Sequence, residues 1–166
     1  TVYPHERQCS EAVELPGGTP TEKAEFRDNL IADIAKVEQG MKIALIGVVN
    51  PLIAAIRKRG GTCLPCDLQM ERTHWGDPVE KDMEKVLDSA DGVICTGMTL
   101  SNGTFDRVIE RVLERSIPLT VYAQTGSAVA ARFVGAGITS LVAEPFPFSQ
   151  FSANATRVFC YRGQGD

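Results

Sequence analysis

From Met41 onward the chain alternates short apolar runs with amphipathic runs, and this alternation sets the expected architecture. Lys42-Ile43-Ala44-Leu45-Ile46-Gly47-Val48-Val49 is a near-continuous apolar run, as suits a parallel strand covered on both faces. Pro51 can open the next helix, which Leu52 to Lys58 carry as far as Gly60-Gly61. Thr62 to Leu68 gives a weaker strand, interrupted by Pro65. A helix is then expected over Pro78 to Leu87, a strand over Gly92 to Cys95, and a helix over Phe105 to Arg115 with Val108, Ile109, Val112 and Leu113 on its apolar face. Pro118 to Ala123 reads as a strand, Ser127 to Val134 as a helix and Leu141 to Ala143 as a strand. The run Thr156 to Tyr161 alternates polar and apolar and is expected as an edge strand.

Ahead of this block, residues 1–20 are punctuated by Pro4, Pro16, Gly17, Gly18 and Pro20 and show no period. They are expected to be irregular. A helix follows, with Thr21 as its cap, acidic residues in its first turn and an apolar stripe of Phe26, Leu30, Ile34 and Val37, ending at Gly40. The chain therefore divides into an N-terminal extension and helix (1–40) and an α/β domain (41–166). Strands alternating with helices indicate a doubly wound, mainly parallel sheet with helices on both faces. Right-handed crossovers leave a Rossmann-like or a flavodoxin-like strand order, and periodicity does not choose between them. In both, ligands bind beyond the carboxyl ends of the strands, where the strand order reverses.

Composition narrows the function. At 166 residues the chain is long enough for one sizeable core, and a net charge of −4 with no long run of Lys and Arg argues against a nucleic-acid surface. The cluster Arg57-Lys58-Arg59 falls at an expected helix end, where cations suit the dipole. No apolar stretch approaches the roughly 20 residues that cross a bilayer. The first residues carry no signal-peptide pattern, so a cytoplasmic protein without membrane partners is expected. Five cysteines, an odd number without dense spacing, fit mostly free thiols in a reducing compartment.

The most informative loop is Cys95-Thr96-Gly97-Met98-Thr99-Leu100-Ser101-Asn102-Gly103-Thr104, between an expected strand and an expected helix. Its glycines allow tight turns, and Thr96, Thr99, Asn102 and Thr104 crowd hydroxyl and amide groups where helix N–H groups favour an anion. Capping and turning alone would also account for these residues. The loop matches neither a P-loop nor a dinucleotide fingerprint. A second hydroxylated helix start, Thr125-Gly126-Ser127, strengthens the ligand reading. Asn50 lies in the loop after the first strand of the domain. Asp67, twenty residues after Gly47, is placed to hold ribose hydroxyls, and Glu144 is expected to face the same crevice. Cys63-Leu64-Pro65-Cys66 has dithiol spacing but belongs to a strand, the wrong setting for a lowered thiol pKa. A four-ligand zinc site would need a second pair. A metal held by fewer ligands, among Cys66, His74 and Cys95, together with a bound small molecule, stays open. His74-Trp75 otherwise reads as a surface loop. With only His5 and His74, a histidine base is not expected.

On Asp91-Gly92-Val93-Ile94, Thr96 to Thr104, Thr125-Gly126-Ser127 and Gly135-Ala136-Gly137-Ile138, the chain resembles the putative heavy-metal chelation protein family. The likeness runs from about Met41 to Gly163. It implies a Rossmann-like C-terminal domain, normally paired with a smaller N-terminal α+β domain, with the ligand or metal site between them. Only about 40 residues precede the first strand here, too few for that N-terminal domain, and Gln124-Thr125-Gly126-Ser127 stands where the family tends toward Gly-Pro-Ser. A second subunit or a separate partner could supply the missing part.

Three readings follow. The first is a small-ligand, metal or metallocofactor-binding protein in which Asn50, Asp67, Thr96, Gly97, Thr99, Asn102, Gly103, Thr104, Thr125, Gly126 and Ser127 hold the ligand. In it, Cys95 and Glu144 contact a transition metal. The second is an enzyme using a nucleotide or S-adenosylmethionine. The third is a non-catalytic subunit that completes a site as a homo-oligomer or with a partner.

Overall fold

Residues of the central strands are apolar on both sides because each side has its own core. Ile43 and Leu45 pack with Ile31, Leu52, Ile53 and Ile56 on one face, while Ala44 and Ile46 pack with Val86, Leu87 and Val108 on the other. The computed structural model describes residues 3–163. Its strands are β1 (Glu11–Leu15), β2 (Lys42–Ile46), β3 (Thr62–Cys66), β4 (Gly92–Thr96), β5 (Leu119–Ala123), β6 (Ser140–Ala143) and β7 (Thr156–Arg162), forming one sheet in the order β1-β7-β6-β5-β4-β2-β3. Neighbours from β3 across to β6 are parallel, and β7 is antiparallel to both β6 and β1. The helices are α1 (Tyr3–Gln8), α2 (Pro20–Ile34), α3 (Asn50–Lys58), α4 (Met83–Ser89), α5 (Met98–Ser101), α6 (Phe105–Arg115) and α7 (Ser127–Ala130).

The fold is the doubly wound, Rossmann-like sheet expected, and the strand order is now decided. Counted alone, the five parallel strands run in the flavodoxin-like order, so the order reverses between β2 and β4. Among the described residues no helix is long and apolar enough to cross a membrane.

Several local expectations change. Residues 3–20 are not irregular: α1 and β1 lie there, and β1 pairs with β7 along its whole length, while residues 1 and 2 of that stretch fall outside the described residues. β7 is consequently an interior strand, not an edge. Alternation misled here because β1, with Glu11, Ala12 and Glu14 exposed, covers the sheet edge with a polar strand. The cap of α2 is Thr19, not Thr21: its hydroxyl accepts from the Glu22 amide (3.3 Å), while Glu22 accepts from the Thr19 amide (2.8 Å). The buried face of α2 is also rotated. Phe26 is exposed, while Lys23, Arg27 and Asp28 are buried beside Ile31 and Ile34.

α4 begins at Met83, after an Asp82 cap, because the preceding residues do other work. Glu80 bridges Cys66 as an added piece of strand, its amide reaching the Pro65 carbonyl (2.9 Å) and its carbonyl taking the Asp67 amide (3.1 Å). Pro65 therefore sits in the edge strand with its carbonyl satisfied. Leu113 is exposed on α6, and the helix expected over 127–134 is one turn of α7 followed by a 3-10 turn, Ala131–Phe133.

Candidate functional site

Where the strand order reverses, β2 and β4 end side by side and the chain leaves them in opposite directions. Gly47 follows β2 with φ +86, and its amide is taken by the Cys66 carbonyl (2.9 Å). A side chain there would collide with Thr96, whose hydroxyl oxygen lies 2.3 Å from where a Cβ would stand. Glycine is required at this position on both counts. The close approach lets Thr96, the last residue of β4, stand against the first loop.

Two hollows meet over these residues. One, of about 480 Å³, extends toward β3 and α4 and is walled by Ile46, Cys66, Leu68, Met70, Met83 and Met98, with Asp67, Lys81, Thr99, Asn102 and Thr104 among its polar residues. The other, of about 200 Å³, extends toward β5 and is lined by Val48, Gly97, Tyr122, Gln124 and Thr125. Gly47, Asp67, Thr96 and Met98 line both. The result is one crevice, mostly apolar throughout, to which Gln124 and Thr125 add polar groups at the smaller half, a common composition for small-molecule sites.

Thr96 is 8% exposed, and its hydroxyl oxygen has no hydrogen-bond partner among the described residues. A buried hydroxyl without a partner costs about 1–3 kcal/mol, so its persistence at this point of the crevice asks for a cause. Asp67 is fully engaged in shaping the loops: Oδ1 accepts from the amides of Gln69 (2.8 Å) and Met70 (3.0 Å), and Oδ2 from the amide of Val48 (3.1 Å). Partial burial opposes its ionisation, but those three amides and Lys81 outweigh it and hold the carboxyl below its usual value. Thr99 is buried and donates to the Thr96 carbonyl (2.9 Å). Asn102 accepts from the Thr104 amide (3.1 Å) and hydroxyl (2.7 Å), closing a local turn at the crevice. Gly103 and Gly126 both have positive φ, as their turns need, and Gly97 packs against Ala123 and the Thr125 carbonyl.

The structure thus brings Asp67, Thr96, Gly97, Thr99, Asn102, Thr104 and Thr125 to one crevice, with Gly103 and Gly126 as turns beside it. It does not bring in the others. Ser127 is buried and contacts His5 Nε2 (3.2 Å), whose Nδ1 contacts the Tyr161 hydroxyl (2.6 Å). It belongs to the packing of α1 on β7. Asn50 accepts from the His74 amide (3.0 Å) and lines a separate hollow of about 360 Å³ with Glu25, Lys58 and Trp75.

Cys95 and Glu144 lie on opposite faces of the sheet. Cys95 is in the core under α4 and α6, where burial pushes its thiol up to about 12. Glu144 is fully buried under α2. It accepts from the Ser149 amide (2.5 Å), the Gln124 side chain (3.1 Å) and the Tyr122 hydroxyl, and Arg27 stands 3.7 Å away. Burial raises its carboxyl, but Ser149, Tyr122 and Gln124 outweigh that and leave it below its usual value. Arg27 also binds Asp28 (2.7 Å) and lies over the Tyr122 ring at 4.9 Å. This network, in which Asp28 Oδ2 stays buried without a hydrogen-bond partner among the described residues, was missed in the sequence. The spacing of Lys23 and Arg27 on one face of α2 was the available signal, and it ran against the apolar stripe.

Among the described residues no three His, Cys, Asp or Glu side chains gather as a metal site. The donor set suited to a hard or borderline divalent ion is therefore not assembled by these side chains.

The DUF364 family model, described as putative heavy-metal chelation, matches residues 29–141, more than half of the sequence. The chain belongs to this family. Its crevice loop and both flanking strands fall inside the matched stretch. A DUF364 protein of unknown function from Pyrococcus horikoshii is similar in fold, at 14% identity and a TM-score of 0.60 over 86% of this chain and 65% of that one. The α-aminoadipate aminotransferase LysN of Thermus thermophilus is similar at 13% identity and 0.59, over 91% and 41%. So is Bna3p of Saccharomyces cerevisiae, described as a putative kynurenine aminotransferase, at 10% and 0.56 over 89% and 39%. At these identities the likeness is one of fold alone. The chain spans less than two thirds of the length of each. No curated protein matches.

Proposed function

We propose that this DUF364 protein binds a small ligand in the crevice over β2 and β4, and that a hard or borderline divalent metal enters only with chelating groups the ligand itself brings. The observation that carries the reading is Thr96: a hydroxyl enclosed against Gly47 without a partner among the described residues, on one of the four residues that line both halves of the crevice, where a turn of the side chain would present it to a ligand. A ligand group that hydrogen-bonds this hydroxyl removes its cost and so gains affinity. The larger half suits a nonpolar body and the half near Gln124 and Thr125 suits a polar end.

Heavy-metal chelation, as the family description has it, is then shared between protein and ligand. The test is a thermal-shift series on metal-stripped protein against divalent transition metals alone, small polycarboxylates alone, and both together, with nucleotides and S-adenosylmethionine alongside. The reading expects stabilisation by a metal with a polycarboxylate that exceeds either alone, following ligand concentration by mass action. Stabilisation by nucleotides or S-adenosylmethionine alone would favour a cofactor-using enzyme. Silence throughout would contradict the reading and leave a subunit that binds only with a partner.

A further inference from the structure

We propose that the apolar wall of the crevice is a thioether site for a soft monovalent metal ion, Cu(I) or its redox-inert stand-in Ag(I), held by Met70, Met83 and Met98. The inference rests on reading the crevice as a binding site, and it names a ligand class for the larger half.

The chain has four methionines, and three of them line the same hollow. They arrive from three different places: Met70 from the loop after β3, Met83 from the first residue of α4 and Met98 from the first residue of α5. Met83 packs in part against the core beneath α4, but core packing does not account for Met98, which is 61% exposed, nor for half-buried Met70. The fourth, Met41, stands before β2 at the opposite end of the sheet and packs on the core. Methionine has three rotatable side-chain bonds, so sulfurs based on separate elements can turn toward a common point.

Thioethers are soft and uncharged, which suits a monovalent soft ion and serves a hard divalent ion poorly. The nearest thiol in the same wall is Cys66, which is buried; a soft ion displaces a thiol proton on binding, so the test removes this thiol to isolate the thioethers. The carboxylates of Glu80, Asp67 and Asp82 stand near it. Those same carboxylates favour a cation in the hollow. Lys81 opposes them, but its ammonium is drawn to the Met70 carbonyl at 2.7 Å.

The test uses the whole chain carrying Cys9→Ser and Cys66→Ala, which removes the one cysteine that is not buried and the thiol in the wall of the hollow. With methionine methyls labelled with carbon-13, metal-stripped protein in chloride-free buffer is titrated with silver nitrate. The expected result is that the Met70, Met83 and Met98 methyl signals shift and saturate at one equivalent, while Met41 stays. Met70→Leu, Met83→Leu and Met98→Leu should each weaken silver binding by about tenfold or more. Leucine conserves most of the volume, so the melting temperature without silver should change little. The proposal is overturned if the three signals stay in place, or if all four shift together without saturating. If silver leaves them in place but a ligand from the thermal-shift series moves them, the thioether site falls and the crevice stands. If neither moves them, both fall.

Discussion

The two ends of the carboxyl edge of this sheet are built from similar residues and behave in opposite ways. Over β5 and β6, Glu144 is buried, yet the Ser149 amide, the Gln124 side chain, the Tyr122 hydroxyl and Arg27 surround it, so the space is filled. Over β2 and β4, Thr96 is also buried, but its hydroxyl, enclosed against Gly47, is left without a partner among the described residues, and the residue borders two hollows. Asp28 Oδ2 in the first network is also buried without a partner, so what separates the two ends is the hollow beside Thr96 and the partners packed around Glu144.

The largest effect should come from breaking the closed end. Glu144→Ala leaves buried Arg27 with Asp28 as its one remaining carboxylate and leaves the Ser149 amide and Tyr122 hydroxyl unsatisfied, and should cost about 3–5 kcal/mol in denaturant unfolding. A cost below about 1 kcal/mol, the worth of a single ordinary hydrogen bond, would mean the network is not the brace described.

At the open end, Gly47→Ala should cost more than about 1 kcal/mol, because φ is positive and the new Cβ meets the Thr96 hydroxyl. It should also reduce ligand-induced stabilisation. Unchanged stability would show that the two loops can part freely.

Acid titration compares the two ends through their carboxyls. Glu144 and Asp67 are held below their unfolded values, so their stabilisation is present above the unfolded carboxyl range and is lost as pH falls through the folded values. Asp28 is raised, chiefly by burial and against Arg27, so its protonation adds stability as pH falls through its folded value. Unfolding free energy measured from pH 7 downward should therefore fall more steeply in Asp28→Asn than in the parent. An identical or shallower fall would place Asp28 outside this balance.

The smallest effect is expected from Ser127→Ala, at about 1 kcal/mol from the lost contact to His5, with ligand-induced stabilisation unchanged. A selective loss of ligand stabilisation would return Ser127 to the crevice.

Much of this fold was legible because the parallel strands write their double burial as continuous apolar runs, and because Phe105–Arg115 carries its helical period openly. That the loop around Thr96 follows a buried strand and reaches the carboxyl edge was legible from its glycines and short polar residues, which serve turns and caps as readily as a ligand. Strand order was not legible, since periodicity says which segments are strands and not which are neighbours. Nor was the role of Glu144 or Ser127. Both fall at the expected edge, and only the tertiary partners Arg27 and His5, distant in sequence, turn them inward. The exposed Phe26 beside a buried Arg27 shows the same limit: pattern assigns burial by polarity, and a buried ion network inverts it.

The most direct measurement of the central claim is the thermal shift of Thr96→Val beside the parent, each with and without the stabilising metal–polycarboxylate pair. Valine keeps the shape and removes the unpartnered hydroxyl, so the account predicts a free protein at least as stable as the parent and a much smaller shift on adding the pair. An equal shift in both proteins, or a free variant markedly less stable, would contradict it.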